Sequence, residues 1–205
     1  MKNVSLVFLA LVTIACHKHT KVKYADKIVE VPKVVEVPKK VEKIVEVEKP
    51  APVVPKLLCK VYDLAGAVPS VMPNFASKTP LGTVEVEYLK NAVTNNLTPF
   101  PMLDNTPHQS LVERFGLVCE GKIKITTQGS HVFYLNSDDG TKLFVNGIQV
   151  INNDGTHAMT KKSGTVTLDQ GEILIKIQYY NGNGDKGLIF TMKRPDLGFE
   201  ELVKF

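Results

Sequence analysis

The sequence has no tryptophan, only three cysteines, and no glycine anywhere between His17 and Lys56. Without tryptophan, the largest aromatic side chain is missing from any core or binding face. Three cysteines cannot all be paired in disulfides, so one needs a separate explanation. No apolar run reaches the ~20 residues that a membrane-spanning helix requires. The motifs G-x-S-x-G, H-E-x-x-H and G-x-x-x-x-G-K-[ST] are all absent, which leaves serine-hydrolase, zinc-protease and P-loop readings without an anchor. Excess charge is scarce too: a formal +4 over 205 residues is too mild to imply nucleic acid. What is present is 43% hydrophobic and 22% charged, which excludes a wholly disordered chain. The length allows one ordinary domain plus extras.

The chain opens with a short basic segment, Met1-Lys2-Asn3, and an apolar stretch from Val4 to Ala15. That stretch is too short to span a bilayer and fits a cleaved export signal, residues 1–15. It ends in Thr13-Ile14-Ala15-Cys16, which resembles the lipobox of bacterial lipoproteins. The resemblance implies that Cys16 becomes the lipidated first residue of the mature protein. Thr13 departs from the pattern, where leucine is usual. His17 stands where an inner-membrane retention signal would be aspartate, so the expected location is the outer membrane. An ordinary signal peptide cut nearby is the alternative.

From residue 16 to 56 the composition narrows almost entirely to Lys, Val, Glu, Pro and Ile, and a six-residue unit recurs as KIVEVP and KVVEVP. Pro32 and Pro38 would each break a helix and remove a donor from a strand ladder. Polyproline II geometry, with three residues per turn, suits the spacing and aligns Lys27, Glu30, Lys33, Glu36, Lys39 and Glu42 along one edge. Extended in that form, the segment would reach about 120 Å at ~3.1 Å per residue. The expectation is a stalk, with self-association through the proline-free part from Lys39 to Lys49 as a sharper reading. Between residues 17 and 58 there are ten lysines against six carboxylates; from 59 onward the balance is fourteen basic to fifteen acidic. The positive charge therefore belongs to the tether, which rules out a basic nucleic-acid-binding domain and makes an anionic membrane or wall its charge partner.

Residues 57–205 read as one domain. Strands are predicted at Cys59 to Asp63, Thr83 to Leu89, Ser130 to Ser137, Lys142 to Val145, Ile148 to Ile151 and Gly164 to Leu168, with ILIKIQYY and LIFTM completing the run. Asn146-Gly147 is a strong two-residue hairpin turn. Short strands at this spacing predict an all-β, antiparallel β-sandwich or barrel behind the extended, proline-interrupted N-terminal stalk. Six prolines between Pro69 and Pro107 leave residues 64 to 110 with few readable signals. Cys59 and Cys119 each open a predicted strand, so an oxidising compartment would join them in a disulfide clamping the first strand to the domain. Two buried thiols are the alternative.

The segments FGLVCEGKIKI, HVFYLNSDDGTKLFVNGIQVINNDGTH and SGTVTLDQGEILIKIQYYNGNGDKGLIF resemble, in that order, the protective-antigen fourteen-kilodalton domain family. Its members include part of a bacterial toxin's protective antigen, insert domains of glycosidases and fungal flocculin-type adhesins. The match runs from about Arg114 to Met192, with KVYDL as the opening strand. The resemblance implies a β-sandwich or barrel of this size and no single activity.

In the adhesin branch an Asp-Asp pair joined by a cis peptide binds calcium with help from an asparagine on a later loop. Here the resemblance implies Asp138, Asp139 and Asn181 as metal ligands. Asn183 and Asp185, on the same loop, would extend the ligand-binding set. Calcium takes hard oxygen ligands and leaves positions that vicinal sugar hydroxyls can fill. Against this stands a simpler reading in which Asp-Asp-Gly is a turn with Gly140 at positive φ and Asn-Gly-Asn-Gly-Asp is a generic loop. Only Tyr134, Tyr179 and Tyr180 are near enough in sequence to offer a stacking face.

Adjacent carboxylates are poorly placed for glycoside hydrolysis, which needs about 5 Å or more between groups flanking the bond. His108, His131 and His157 are isolated and read as structural or exposed, and His17 and His19 make a weak metal claim. No enzyme is expected. The sequence points to a lipid-anchored, calcium-assisted glycan-binding adhesin module of the cell envelope. A structural or assembly module that contacts protein partners without sugar or calcium is the alternative.

Overall fold

The computed structural model describes residues 17–24, 27–34, 56–66, 69–95, 98, 100–104 and 106–205. The expected signal segment, the Cys16 anchor and stalk residues 35–55 lie outside the described residues. The chain divides into two units, residues 1–52 and 53–205.

In the first unit, β1 (His17–Tyr24) and β2 (Lys27–Val34) form an antiparallel hairpin in which Lys21 pairs with Glu30 and His19 with Pro32. This corrects the polyproline II expectation for residues 17–34. The Val- and Ile-rich sequence favours strand, and a two-stranded ladder uses only every second N–H of each strand. A single proline therefore fits where the N–H would face outward. The three-residue charge spacing that would align on a polyproline rod does not align in a strand, whose period is two.

The second unit is a sandwich of two antiparallel sheets. The six-stranded sheet has the order β4 (Gly82–Val86), β3 (Leu57–Asp63), β6 (Phe115–Ile125), β11 (Gly171–Asn181), β8 (Thr141–Val145), β9 (Ile148–Asn153). The other runs β10 (Thr160–Leu168), β7 (Gly129–Asp138), β12 (Lys186–Lys193), β13 (Glu201–Leu202), with β5 (Lys90–Thr94) also on β12. The all-β sandwich expected from the turn spacing is the observed fold.

Alternation builds it. Along β11, Ile173, Ile175, Ile177 and Tyr179 are buried while Leu174, Lys176 and Gln178 point away from the core. Phe133 and Leu135 of β7 and Leu188, Phe190 and Met192 of β12 supply the opposing layer. Phe133 stacks on Phe190 with centroids 5.9 Å apart. Cys59 and Cys119 face each other across β3 and β6 and form a disulfide. The Asn146-Gly147 turn adopts the expected left-handed pair, with φ of 48° and 82°.

Residues 64–110 contribute more than connections. Phe100, Met102 and Leu103 enter the main core, where Phe100 stacks on Tyr179 at 5.6 Å. The segment from Pro69 to Ser77 instead packs on the outer face of the six-stranded sheet, where Phe75 joins Tyr62, Leu64, Val118 and Tyr180 in a second small core. Gly116 makes this possible, because a Cβ there would come within 2.3 Å of the Phe75 ring.

Candidate calcium and glycan site

The paired aspartates close strand β7 and lead into β8. The Asp138–Asp139 peptide is cis. Both residues are buried, with Asp138 8% and Asp139 2% exposed. Asn181 ends the neighbouring strand β11 and is fully buried.

Asp139 is held from two sides. The backbone N–H of His157 donates to Oδ1 at 3.0 Å, and that of Gly182 donates to Oδ2 at 2.8 Å. The turn carrying the carboxylates is thereby joined to the loop after β9 and to the loop that follows Asn181. Asn181 donates from Nδ2 to the Gly182 carbonyl at 3.3 Å, but its Oδ1 is buried without any hydrogen-bond partner. Leaving a buried amide oxygen unpaired costs free energy, about 1–3 kcal/mol. A cation at this position would satisfy it. Among the described residues no three His, Cys, Asp or Glu side chains are grouped to hold a metal; this cluster supplies two carboxylates and an amide oxygen.

The electrostatics agree with that chemistry. Burial first, then the neighbouring Asp139 and Asp185 carboxylates, push the Asp138 carboxyl up to about 6, with His157 opposing the shift. Two carboxylates confined together resist ionising in the absence of a counter-charge, which is the condition a divalent cation relieves. The Tyr179 hydroxyl donates to the Asp138 carbonyl at 2.6 Å, and its own pKa is driven up by burial and the two aspartates. Lys186, also buried, donates to the Asn95 carbonyl at 2.6 Å and is pushed down by burial against the pull of Glu113 and Asp185.

A model of the PA14 domain matches residues 94–202, more than half of the chain. The chain belongs to the PA14 domain family. Solved structures similar to it include the PA14 domain of MpAFP antifreeze protein, at 15% identity and a TM-score of 0.59, covering 72% of this chain and 86% of that one. A PA14 sugar-binding domain from an RTX adhesin is similar at 15% identity and a TM-score of 0.57, covering 74% and 96%. The Epithelial Adhesin 6 A domain of Candida glabrata, solved in complex with Galb1-3GlcNAc, matches at 20% identity and a TM-score of 0.53, covering 73% and 84%. At these identities the likeness is one of fold. No curated protein matches the chain.

Within this PA14 domain, the Gly182–Asp139 hydrogen bond ties the loop after Asn181 to the Asp138-Asp139 turn, and the contacts that hold this end of the sandwich are ones that sequence reasoning missed. Asn153 donates from Nδ2 to Ser137 Oγ and to the Thr160 carbonyl, both at 2.9 Å, and Ser137 Oγ lies 3.0 Å from Thr141 Oγ1. This buried network fixes the start of β8 and the strands beside it. Its signal in sequence is faint: polar residues at buried strand positions either side of Asp-Asp-Gly. The two backbone donors to Asp139 leave no signal, since any residue but proline supplies an N–H.

Other expectations need correction. Gly140 does not adopt positive φ; glycine is required because a Cβ would meet the Tyr180 ring at 2.4 Å. Tyr179 and Tyr180 offer no stacking face, both being fully buried. Tyr134 is part-exposed and lies under the Lys161 ammonium at 4.5 Å. Asp185 and Asn183 are exposed on the loop, with Asp185 acting on Asp138 through its charge. The reading of His157 as structural needs no correction: its Nδ1 and Nε2 lie 2.9 and 3.1 Å from the carbonyls of Ala158 and Asn153.

Proposed function

We propose that this protein is a non-catalytic, calcium-assisted glycan-binding module. It would be held at the cell envelope by lipid on Cys16, on the outer membrane, and displayed on the 16–56 stalk. The observation that carries the reading is the buried, unpartnered Oδ1 of Asn181, whose neighbour Gly182 donates its N–H to Asp139, together with the buried carboxylates of Asp138 and Asp139. These three groups would hold the ion, and the exposed Asp185 and Asn183 would border the ligand. Calcium bound there supplies open coordination positions for a pair of adjacent sugar hydroxyls. The backbone N–H groups of His157 and Gly182 orient the Asp139 carboxylate, and the burial of Asp138, Asp139 and Asn181 would limit the access of water to an ion held there. The sugar-binding RTX adhesin domain and the Candida glabrata adhesin complex support a glycan as the ligand class. One such site binds weakly, so copies arrayed on a membrane would supply avidity.

The test is calorimetric titration of calcium into the full chain, followed by a glycan array with and without chelator. A calcium heat that disappears in Asn181→Ala, together with chelator-sensitive glycan binding, supports the reading. No calcium heat would leave the domain as an assembly module that contacts protein partners.

A further inference from the structure

The outer face of the six-stranded sheet carries a groove of about 380 Å³ whose lining includes none of Asp138, Asp139 and Asn181. Its floor is a row of residues paired across four strands: Lys60 opposite Val118, Val118 opposite Gln178, Gln178 opposite Lys142. At ~4.8 Å between strands, Lys60 and Lys142 stand about 14 Å apart along that row. Lys176 sits one row over, opposite Glu120. One wall is the segment that includes Met72, Asn74 and Phe75.

That wall is anchored. The Met72 N–H donates to Asp154 Oδ1 at 2.6 Å, and the Thr156 hydroxyl donates to the Pro69 carbonyl at 3.3 Å. The other carboxylate oxygen of Asp154 holds Lys142 Nζ at 2.8 Å, fixing that ammonium at the groove's edge. Lys176 pairs with Glu120 at 3.2 Å, both about half exposed, a contact worth little and readily exchanged for another anion. Lys60 is exposed and has no ion-pair partner among the described residues. The groove therefore carries three ammonium groups, spaced rather than converging, against the carboxylates of Glu120 in its lining and Asp154 at its edge, and Lys60 is the one of the three without an ion pair among the described residues.

From this the geometry points to a second, calcium-independent site for a linear acidic polysaccharide. Charges spaced along a chain match ammonium groups spaced along a sheet row. A compact phosphate would need donors that converge on one point. The Asn74 and Gln178 amides can exchange hydrogen bonds with sugar hydroxyls, and Tyr62 and Val118 give an apolar floor. The site does not depend on an ion at Asp138 and Asp139.

The test titrates oligogalacturonate into the full chain in the presence of chelator. Parallel arms use the same oligomer with its carboxyls reduced, and inorganic polyphosphate. The expected result is binding of the uronate that survives chelation, weakens between about 50 and about 500 mM salt, and is lost with the reduced oligomer. Lys60→Gln and Lys176→Gln should each weaken it about fivefold, the scale of one exposed charge contact. Lys124→Gln, exposed on the same sheet outside the groove, should leave it unchanged. Loss of binding on chelation, equal weakening by Lys124→Gln, unaltered affinity in both groove variants, or tighter binding of polyphosphate than of uronate would each overturn the proposal.

Discussion

The backbone N–H of Gly182 donates to Asp139 Oδ2 at 2.8 Å, so the loop after Asn181 is fastened to the turn that carries the paired carboxylates. The other oxygen of the same carboxylate takes the N–H of His157. Asp139 thus has a scaffolding role before any ion arrives, and it brings three loops to one end of the sandwich. Asn181 has no such role through its Oδ1, which faces no donor.

That difference separates two variants. Asp139→Ala strands the buried N–H of Gly182 and the part-buried N–H of His157, so it should destabilise the calcium-free fold by about 1–3 kcal/mol and also abolish calcium binding. Asn181→Ala removes an unsatisfied acceptor and one long hydrogen bond, so the calcium-free melting temperature should hardly move. The stabilisation added by calcium, about 2.7 kcal/mol at a hundredfold excess over Kd, should nevertheless disappear. Thermal melts of both variants with calcium and with chelator check this; equal loss of calcium-free stability in the two would contradict it.

The pH dependence follows from Asp138, whose carboxyl is pushed up to about 6 by burial and by Asp139 and Asp185. The unfolded chain releases that proton near the ordinary aspartate value, so between pH ~4 and ~6 the folded state holds more protons than the unfolded state. The contribution of this residue is therefore most favourable at low pH and is lost as pH rises through 6. Through Asp138, calcium-free protein should melt higher at pH 5 than at pH 7, and Asp138→Asn should flatten that difference. Calcium should add more stability at pH 7 than at pH 5, because the ion requires the ionised pair. A calcium increment independent of pH over this range would count against Asp138 as a ligand.

How far the sequence reveals this arrangement depends on the kind of information each part uses. Strands β6 to β12 are legible because alternation and turn chemistry are local: Asn146-Gly147 forms its hairpin from its own two residues. Strand β5 and the two-residue β13 are not, since only their pairing with β12 makes them strands. Asp138, Asp139 and Asn181 enter as candidates through the order of family motifs, and the Gly182–Asp139 hydrogen bond that ties their loops together has no sequence signal. The Asn153–Ser137–Thr141 network is not legible, because it depends on which face of each strand is buried against which neighbour. Tyr179 and Tyr180 show the same limit. Adjacent strand residues point to opposite faces, and one would be expected to face solvent. Both are buried because the segment around Phe75 covers the outer face as well.

Gly140 gives a test of packing rather than of turn chemistry. A Cβ at this position would lie 2.4 Å from one Tyr180 ring carbon and 3.1 Å from the backbone nitrogen of Gly155. The ring is fully buried and cannot swing into solvent. Gly140→Ala should therefore cost about 1–3 kcal/mol, as overpacked cores do, even though its φ would tolerate alanine. Chemical denaturation of the variant checks it. A turn that needed glycine only for flexibility would show a smaller, calcium-insensitive loss, whereas displacement of Tyr180 should also weaken calcium binding at the adjoining Asn181.

The disulfide supplies the last prediction. Cys59 and Cys119 are both fully buried and 60 residues apart in sequence. Cross-linking a loop of that length removes about 4 kcal/mol of unfolded-state entropy in the chain-entropy account. The first strand β3 lies between β4 and β6, so losing the bond frees the unit's opening strand together with the strand that depends on it. The Cys59→Ala/Cys119→Ala double variant should melt about 8–16 °C lower, taking ~2–4 °C per kcal/mol for a domain of this size. Calcium affinity should stay near the parent value, because Asp138 and Asn181 end strands β7 and β11, Asp139 follows β7, and the side chains of Asp139 and Asn181 draw no hydrogen bond from β3. Calorimetric melting under oxidising and reducing conditions, with calcium titration of the folded double variant, measures both. A parallel fall in calcium affinity would mean that the carboxylate site depends on the far edge of the sheet.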